Sequence, residues 1–186
     1  MRDLQIHMGE TNNIFDKIQE ILGEAPGNLT VLEDQIDADI QMEYFNYNRD
    51  LDENVTIEDV LKNKDCIFGN DMAVEDKKKF LVQLANIDSI EAYRTLEKYQ
   101  GADEALNDWA KLALQASRLL IESKLMDKNQ VLISTGLGGK GLKLRYFTVL
   151  LLRNRKVFAS FERKIITSEL KFSLRKSGGE LEQVRF

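Results

Sequence analysis

The sequence predicts an α+β protein, in which a helical amino-terminal part is followed by a smaller part of β-β-α-β order. Between residues 74 and 125 apolar side chains recur every three or four positions, the spacing of amphipathic helices. Residues 131–152 read VLISTGLGGKGLKLRYFTVLLL, two apolar runs joined by glycines, a pattern typical of paired strands. We therefore expect two domains, an acidic helical one over residues 1–128 and a basic mixed one over 129–186.

Length and cysteine content limit the class of protein. The 186 residues suffice for one ordinary domain or two small ones. The single cysteine, Cys66, excludes an intrachain disulfide and fits a reducing compartment. No stretch approaches the roughly 18 apolar residues of a spanning helix, and the first residues lack the apolar core of a signal peptide. The expected location is the cytoplasm, without membrane association.

The charges are unevenly distributed along the chain. From Gln130 onward twelve Lys and Arg residues face four Glu residues, a net charge of +8, which leaves −13 for the residues before it within a total of −5. The basic part could bind an anion such as RNA, or the acidic part could neutralise it within the molecule or in an oligomer. A third interpretation is that the charges only solvate two surfaces.

Helix signals dominate the first domain. An amphipathic helix is predicted over Asn13–Leu22, and another over Thr30–Tyr44, although the second run also alternates like a strand. Thr30 with Glu33, Thr56 with Asp59, and Asp88 with Glu91 have the spacing of capping boxes. The later helices are predicted over Thr56–Asn63, Val74–Asn86, Asp88–Tyr99 and Asp103–Leu125. The short breaks between the last three favour packing as antiparallel neighbours.

The segment Ile87 to Arg118, IDSIEAYRTLEKYQGADEALNDWAKLALQASR, resembles a HEAT-type helical hairpin, with an apolar first helix, an acidic turn and an alanine-rich second helix. One unit is visible, and Val74–Asn86 could supply half of another. Stacked units need about three repeats for stability, so this one is expected to pack against the rest of the protein. The resemblance implies a binding or scaffolding surface without catalytic chemistry; the alternative is an ordinary helical bundle.

The basic domain is predicted to contain three strands and one helix. Val131–Thr135 and Leu142–Leu152 form the expected hairpin, Phe158–Lys176 the helix and Glu180–Phe186 the last strand. The strands flanking the helix are expected to be parallel, with a right-handed crossover. The β-β-α-β order is consistent with a ferredoxin-like two-layer sandwich. Its sheet would be completed by a second copy or by residues beyond Phe186.

The last helix carries apolar residues on two opposite sides. One stripe contains Phe158, Phe161, Ile165 and Phe172, and the other contains Ile166, Leu170 and Leu174. One stripe can cover the sheet. The second is the predicted interaction face, Ile166, Leu170 and Leu174, which the helical domain or another subunit would cover.

The glycine-rich segment is the candidate ligand site. It matches G-x-G-x-x-G, but a dinucleotide site requires a helix after the loop and here a strand is predicted. A P-loop would require glycine in place of Ser134 and Ser or Thr in place of Gly141. What remains is an anion site of backbone N–H groups and basic side chains, or a merely flexible turn. The predicted site residues are Gly136, Gly138, Gly139, Lys140, Gly141, Lys143 and Arg145.

Residues for conventional catalysis are sparse. His7 is the only histidine and Cys66 the only cysteine, which excludes zinc sites built from these residues. Asp34, Asp37, Asp39 and Glu43 lie close in sequence, and such clusters are usually solvated surface. No cofactor, metal or catalytic residue is predicted, and an enzyme with a carboxylate-bound metal is the least supported hypothesis.

Two functions remain. The first is a non-catalytic protein-interaction or scaffold protein, with a protein partner or self-association into a homo-oligomer. The alternative is an RNA- or phosphate-binding module that uses the glycine-rich loop and the basic domain. Tyr146 and Phe147 could stack on bases, but neighbouring strand residues face opposite sides and no RNP-type signature is present.

Overall fold

The computed structural model describes residues 29–52, 55–69, 71–128, 130–152 and 157–186. Helices and small strand pairs occur together, so the α+β class is confirmed. The contacts divide the chain into two compact units, residues 1–145 and 146–186. The division falls after Arg145, later than the boundary predicted at residue 128.

Five helices form the body of the first unit within its described residues. They are α1 (Ala38–Arg49), α2 (Ile57–Lys62), α3 (Val74–Ala85), α4 (Ile90–Tyr99) and α5 (Asn107–Met126). Short 3-10 turns span Lys64–Phe68 and Glu104–Leu106. The helices predicted between residues 56 and 125 are confirmed, whereas the one predicted over Asn13–Leu22 lies outside the described residues.

The start of α1 differs from the prediction. Leu29–Val31 is a short strand, β1, and the helix begins only at Ala38. The Asp37 side chain accepts a hydrogen bond from the backbone N–H of Asp39 at 2.8 Å, which makes Asp37 the cap. The predicted Thr30–Glu33 capping box is therefore wrong, because the residues around Thr30 pair as a strand instead.

The other two predicted caps have different outcomes. Thr56 caps α2 as predicted, with its hydroxyl accepting from the Asp59 N–H at 3.2 Å. At α4 the cap is Ser89, which accepts from the Glu91 N–H at 3.1 Å. The predicted Asp88 cap is wrong, since the Asp88 carboxylate accepts instead from Lys124 Nζ at 2.8 Å.

Most of the core in the described part of the first unit lies between α1, α3, α4 and α5, and Val60 of α2 adds to it. Helices α3, α4 and α5 contact one another, and α1 contacts α3 and α5. At the centre the Trp109 ring packs edge-on against Tyr44 and Tyr47, with centroids 5.4 Å and 5.2 Å away. Its indole N–H donates to the Lys78 carbonyl at 3.1 Å, so this large side chain is buried with its polar atom bonded.

The small strands pair differently from the prediction. β1 is parallel to β2 (Val131–Ile133), with Leu29 opposite Val131, and β3 (Gly139–Lys140) is antiparallel to β4 (Lys143–Leu144). The predicted hairpin of Val131–Thr135 with Leu142–Leu152 is therefore wrong. Composition marks Val131–Ile133 as a strand but does not select its pairing partner, which lies about a hundred residues earlier.

The described part of the second unit contains one helix, α6 (Ser160–Lys176), which confirms the predicted helix. Neither Tyr146–Leu152 nor Leu181–Phe186 forms a strand, so the predicted β-α-β arrangement is wrong for these residues. A strand requires a hydrogen-bonded neighbour, and within the described part of this unit neither run is paired in a sheet.

The chain after α6 returns along the helix. The Phe186 ring lies edge-on to Phe158, with centroids 5.9 Å apart, and its face is 5.6 Å from the Arg163 guanidinium. Leu174 packs close to Gly179 at the turn. The second unit is therefore a helix with one returning segment. None of the helices in the described parts of the chain is sufficiently long and apolar to cross a membrane.

Candidate interaction surfaces

The glycine-rich loop lies against the segment that follows β1. Gly138 has φ +71°, and a Cβ added there would lie 2.3 Å from the backbone oxygen of Glu33. At Gly139 a Cβ would meet Val31 Cγ1 at 2.3 Å. The loop therefore needs glycine at these two positions because two stretches of backbone approach closely.

Glu33 occupies the donors that were predicted to bind an anion. The Gly141 N–H donates to Glu33 Oε1 at 2.7 Å, and the Gly139 N–H donates to the Glu33 carbonyl at 3.2 Å. Arg145 Nη1 donates to the same carbonyl at 3.0 Å. The loop can thus bind an anionic oxygen, and in this structure that oxygen belongs to the chain itself.

The structure brings most of the predicted loop site together around Glu33. Lys140 and Lys143 are opposite each other in the β3–β4 pair, and both are exposed. Gly136 lies apart, against the Ile36 carbonyl and the Ala38 side chain. Sequence reasoning missed Glu33, because the parallel pairing of β1 with β2 brings it to the loop and no local pattern marks that pairing.

Helix α6 exposes one of its two apolar stripes. Ile166, Leu170 and Leu174, the predicted interaction face, are half-buried. On the opposite stripe Phe161, Ile165 and Phe172 are exposed by 65%, 56% and 67%. The more exposed stripe is therefore the one that had been expected to cover a sheet.

The segment before α6 is also apolar and exposed. Tyr146 and Phe147 are exposed by 71% and 81%, so the alternation expected of a strand is not observed. The same holds for other apolar residues of this segment: Val149, Leu150, Leu151 and Val157. None of the described residues of the second unit is buried. Together with the exposed stripe of α6, these side chains form a set that we name the apolar surface of the second unit.

The two units differ in the sign of their net charge. Residues 146–186 contain nine Lys and Arg against four Glu, a net +5, so residues 1–145 carry −10. The apolar surface of the second unit therefore belongs to a basic segment. A partner that covers this surface is attracted to it if the partner has acidic groups at the rim of the contact, or a charge pattern complementary to that of α6.

A charged cluster lies at the edge of the first-unit core. Lys78 Nζ donates to Glu43 at 2.8 Å and to Glu75 at 3.2 Å, and lies 5.1 Å from the Trp109 ring. The Tyr47 hydroxyl donates to Glu75. The bond to Glu43 raises the pKa of Lys78, and the bonds from Tyr47 and then Lys78 lower the pKa of Glu75. The cluster thus holds α1 against α3 through mutually compensated charges.

A cavity of about 240 Å³ adjoins this cluster, lined by Ile40, Glu43, Lys78 and residues 104–109. The acidic residues predicted as a cluster before and on α1 have separate partners. Asp34 lies 3.6 Å from Lys111, Asp37 caps α1, and Glu43 binds Lys78. Within the described ranges no group of three or more His, Cys, Asp or Glu side chains is arranged to hold a metal. His7 lies outside those ranges.

The comparisons with known proteins add no relative. No protein-family model, curated protein or solved structure matches this chain. The functional argument therefore depends on the chain's own surfaces.

Proposed function

We propose that this chain is a non-catalytic protein-interaction or scaffold protein that binds its partner through the apolar surface of the second unit. The observation that supports this function is the contrast in burial. Phe161, Ile165 and Phe172 on α6 and Tyr146 and Phe147 before it are all more than half exposed. Large exposed apolar patches mark interaction sites.

The size of the surface fits a specific interface. An aromatic side chain contributes about 150–250 Å² when it is fully covered. The four aromatic residues of this surface are 65–81% exposed, so most of that area is available to a partner. With the five aliphatic residues beside them, complete covering would bury on the order of 800 Å² on this side, the standard contribution of one partner. Each large apolar side chain that is covered stabilises the complex by up to about 1.5–3 kcal/mol.

The first unit would supply the folded scaffold of the chain. We propose that α3, α4 and α5 are stacked as a HEAT-like helical unit, a proposal supported by their mutual contacts and by the resemblance of Ile87–Arg118. We place this scaffold in the cytoplasm, since its single cysteine fits a reducing compartment.

A photo-crosslinking experiment tests the proposed function. A photoreactive phenylalanine analogue replaces Phe172 in the full chain, and the matched control carries it at the exposed Glu97 of α4. We expect a cross-linked protein, either another copy or a different chain, from position 172 and none from position 97. Cross-links to nucleic acid alone, or no adduct at position 172, would contradict the proposed function.

The alternative function is RNA or phosphate binding by the glycine-rich loop. It is favoured by the Gly141 N–H, which already binds a carboxylate oxygen, and by the exposed Lys140 and Lys143. It ranks second because an external anion must displace Glu33. If this function is real, Glu33→Gln should tighten the binding of an RNA oligonucleotide and Lys140→Ala/Lys143→Ala should weaken it, in filter-binding measurements at fixed salt.

A further inference from the structure

We propose that the partner of the second unit is a second copy of this chain, and that the α6 helices of the two copies pair side by side in parallel. This inference rests on the proposed function, because it names the occupant of the same surface. It is drawn from the spacing of the exposed stripe and from the charges that flank it.

The exposed stripe of α6 follows a heptad pattern. Its residues Phe161, Ile165, Ser168 and Phe172 are spaced by four, three and four residues, as the d and a positions of a coiled coil are. Three of them, Phe161, Ile165 and Phe172, are large and exposed. When two copies of this helix pair in parallel, each a or d residue meets the same residue of the other copy. A second copy therefore provides a matching stripe, and no different protein is needed.

The charges beside the stripe are sorted by sign. With Phe161 and Ser168 at d, Glu162 and Glu169 occupy the e positions on one flank, and Lys164 and Lys171 occupy the g positions on the other. Of these four residues all but Glu162, which is half-buried, are exposed. The helix therefore presents a basic flank on one side of its apolar stripe and, on the other side, a flank that is acidic up to Glu169 and ends at Lys176.

This sorting selects the parallel orientation. In a parallel pair a g residue faces the e residue of the next heptad on the other helix, so Lys164 faces Glu169 of the second copy, twice by symmetry. In an antiparallel pair each flank faces its own equivalent, which would put lysine opposite lysine on the flank of Lys164 and Lys171. In the parallel pair only the Lys164–Glu169 contacts are attractive, because Lys171 would face Lys176 of the second copy.

The apolar side chains and the charges have separate roles. Covering the three exposed apolar residues drives association, whereas the Lys164–Glu169 pairs set the orientation. The helix spans only about two heptads and has a serine at one d position, so association is expected to be weak and dependent on concentration.

Charge reversal on the full chain tests the orientation. Lys164→Glu and Glu169→Lys each put like charges together in a parallel pair, and we expect each to weaken the dimer roughly three- to tenfold at low salt. The double variant reverses both partners and should restore the wild-type dissociation constant. Sedimentation equilibrium measures that constant, and Lys79→Glu, an exposed charge reversal on α3, is the matched control.

The outcomes separate this inference from the proposed function. A stronger dimer for Lys164→Glu would show antiparallel pairing and overturn the inference. A chain that remains monomeric at all concentrations would also overturn it, while a cross-link from position 172 to a different protein would leave the proposed function standing. No cross-link and no dimer together would contradict both.

Discussion

The two units of the chain differ in where their apolar side chains lie. In the first unit Leu81, Leu84 and Leu96 are fully buried between helices. In the second unit Phe147 and Leu151 are more than four-fifths exposed, and no described residue is buried. Apolar content alone therefore does not produce a core, because a core also requires enough elements to enclose it.

The contacts explain the difference. In the first unit residues distant in sequence meet, as when Trp109 on α5 packs between Tyr44 and Tyr47 of α1. In the second unit α6 meets the segment that returns along it, through Arg163 and Phe186. A single helix with one covered stripe leaves its other stripe for a partner, and this is the basis of the proposed function.

The largest expected effect compares one substitution in the two units. Leu96→Ala removes a fully buried side chain from α4 and should reduce the free energy of unfolding by about 2–5 kcal/mol. Leu151→Ala, at a residue that is 86% exposed, should change it by less than about 0.5 kcal/mol. Urea unfolding followed by the fluorescence of Trp109 measures both, in dilute solution. Equal losses would remove the contrast between the units.

A second comparison concerns the glycine-rich loop at the end of the first unit. Gly138→Ala places a Cβ 2.3 Å from the Glu33 carbonyl oxygen in a left-handed conformation, and should cost about 2–4 kcal/mol. Gly141→Ala has a similar φ of +59° but nothing within 4 Å, and should cost only about 1–2 kcal/mol. Thermal or urea unfolding of each variant measures the two losses in the free energy of unfolding. If Gly138→Ala proved the milder change, the close contact between the loop and Glu33 would be refuted.

A smaller effect separates two neighbouring residues at the start of α4. Ser89→Ala removes the hydroxyl that accepts from the Glu91 N–H and should cost about 1 kcal/mol. Asp88→Ala removes only an exposed ion pair with Lys124 and should cost about 0.5 kcal/mol or less. Urea midpoints of the two variants decide the matter, and a larger loss for Asp88→Ala would assign the cap to the aspartate.

The smallest expected effect is a change in pH dependence. Burial, with Asp103 nearby, raises the pKa of Tyr99 to about 12, from an ordinary value of about 10. The fold favours the neutral phenol, so its contribution to stability is complete below about pH 10 and is lost as the pH rises towards 12. Tyr99→Phe should therefore flatten the decline in stability between pH 9 and 11. Urea unfolding at the two pH values measures the free energy of unfolding. If it fell by the same amount between pH 9 and 11 in Tyr99→Phe and in the wild-type chain, this assignment would be contradicted.

Helices were the part of the fold that sequence reasoning could find. The periodicity of Val74–Asn86 and Asp103–Leu125 depends on local spacing, and the structure confirms both helices closely. Strand pairing could not be found in the same way. β1 and β2 are about a hundred residues apart in sequence, and Tyr146–Leu152 has strand composition but no sheet neighbour among the described residues.

The candidate surfaces were predictable to a similar degree. The two stripes of α6 follow from helical geometry, but which one is exposed depends on the path of the returning segment to Phe186. The glycine-rich loop was recognisable from composition. Its occupation by Glu33 was not, because that contact depends on the pairing of β1 with β2.

The central claim is that residues 146–186 obtain their core by association, and hydrogen exchange measured at two protein concentrations tests it most directly. In dilute solution the amides of α3, α4 and α5 should be protected, while those of residues 146–186 exchange rapidly. At high concentration protection should rise in the second unit alone. Strong protection of that unit that does not change with concentration would contradict the claim.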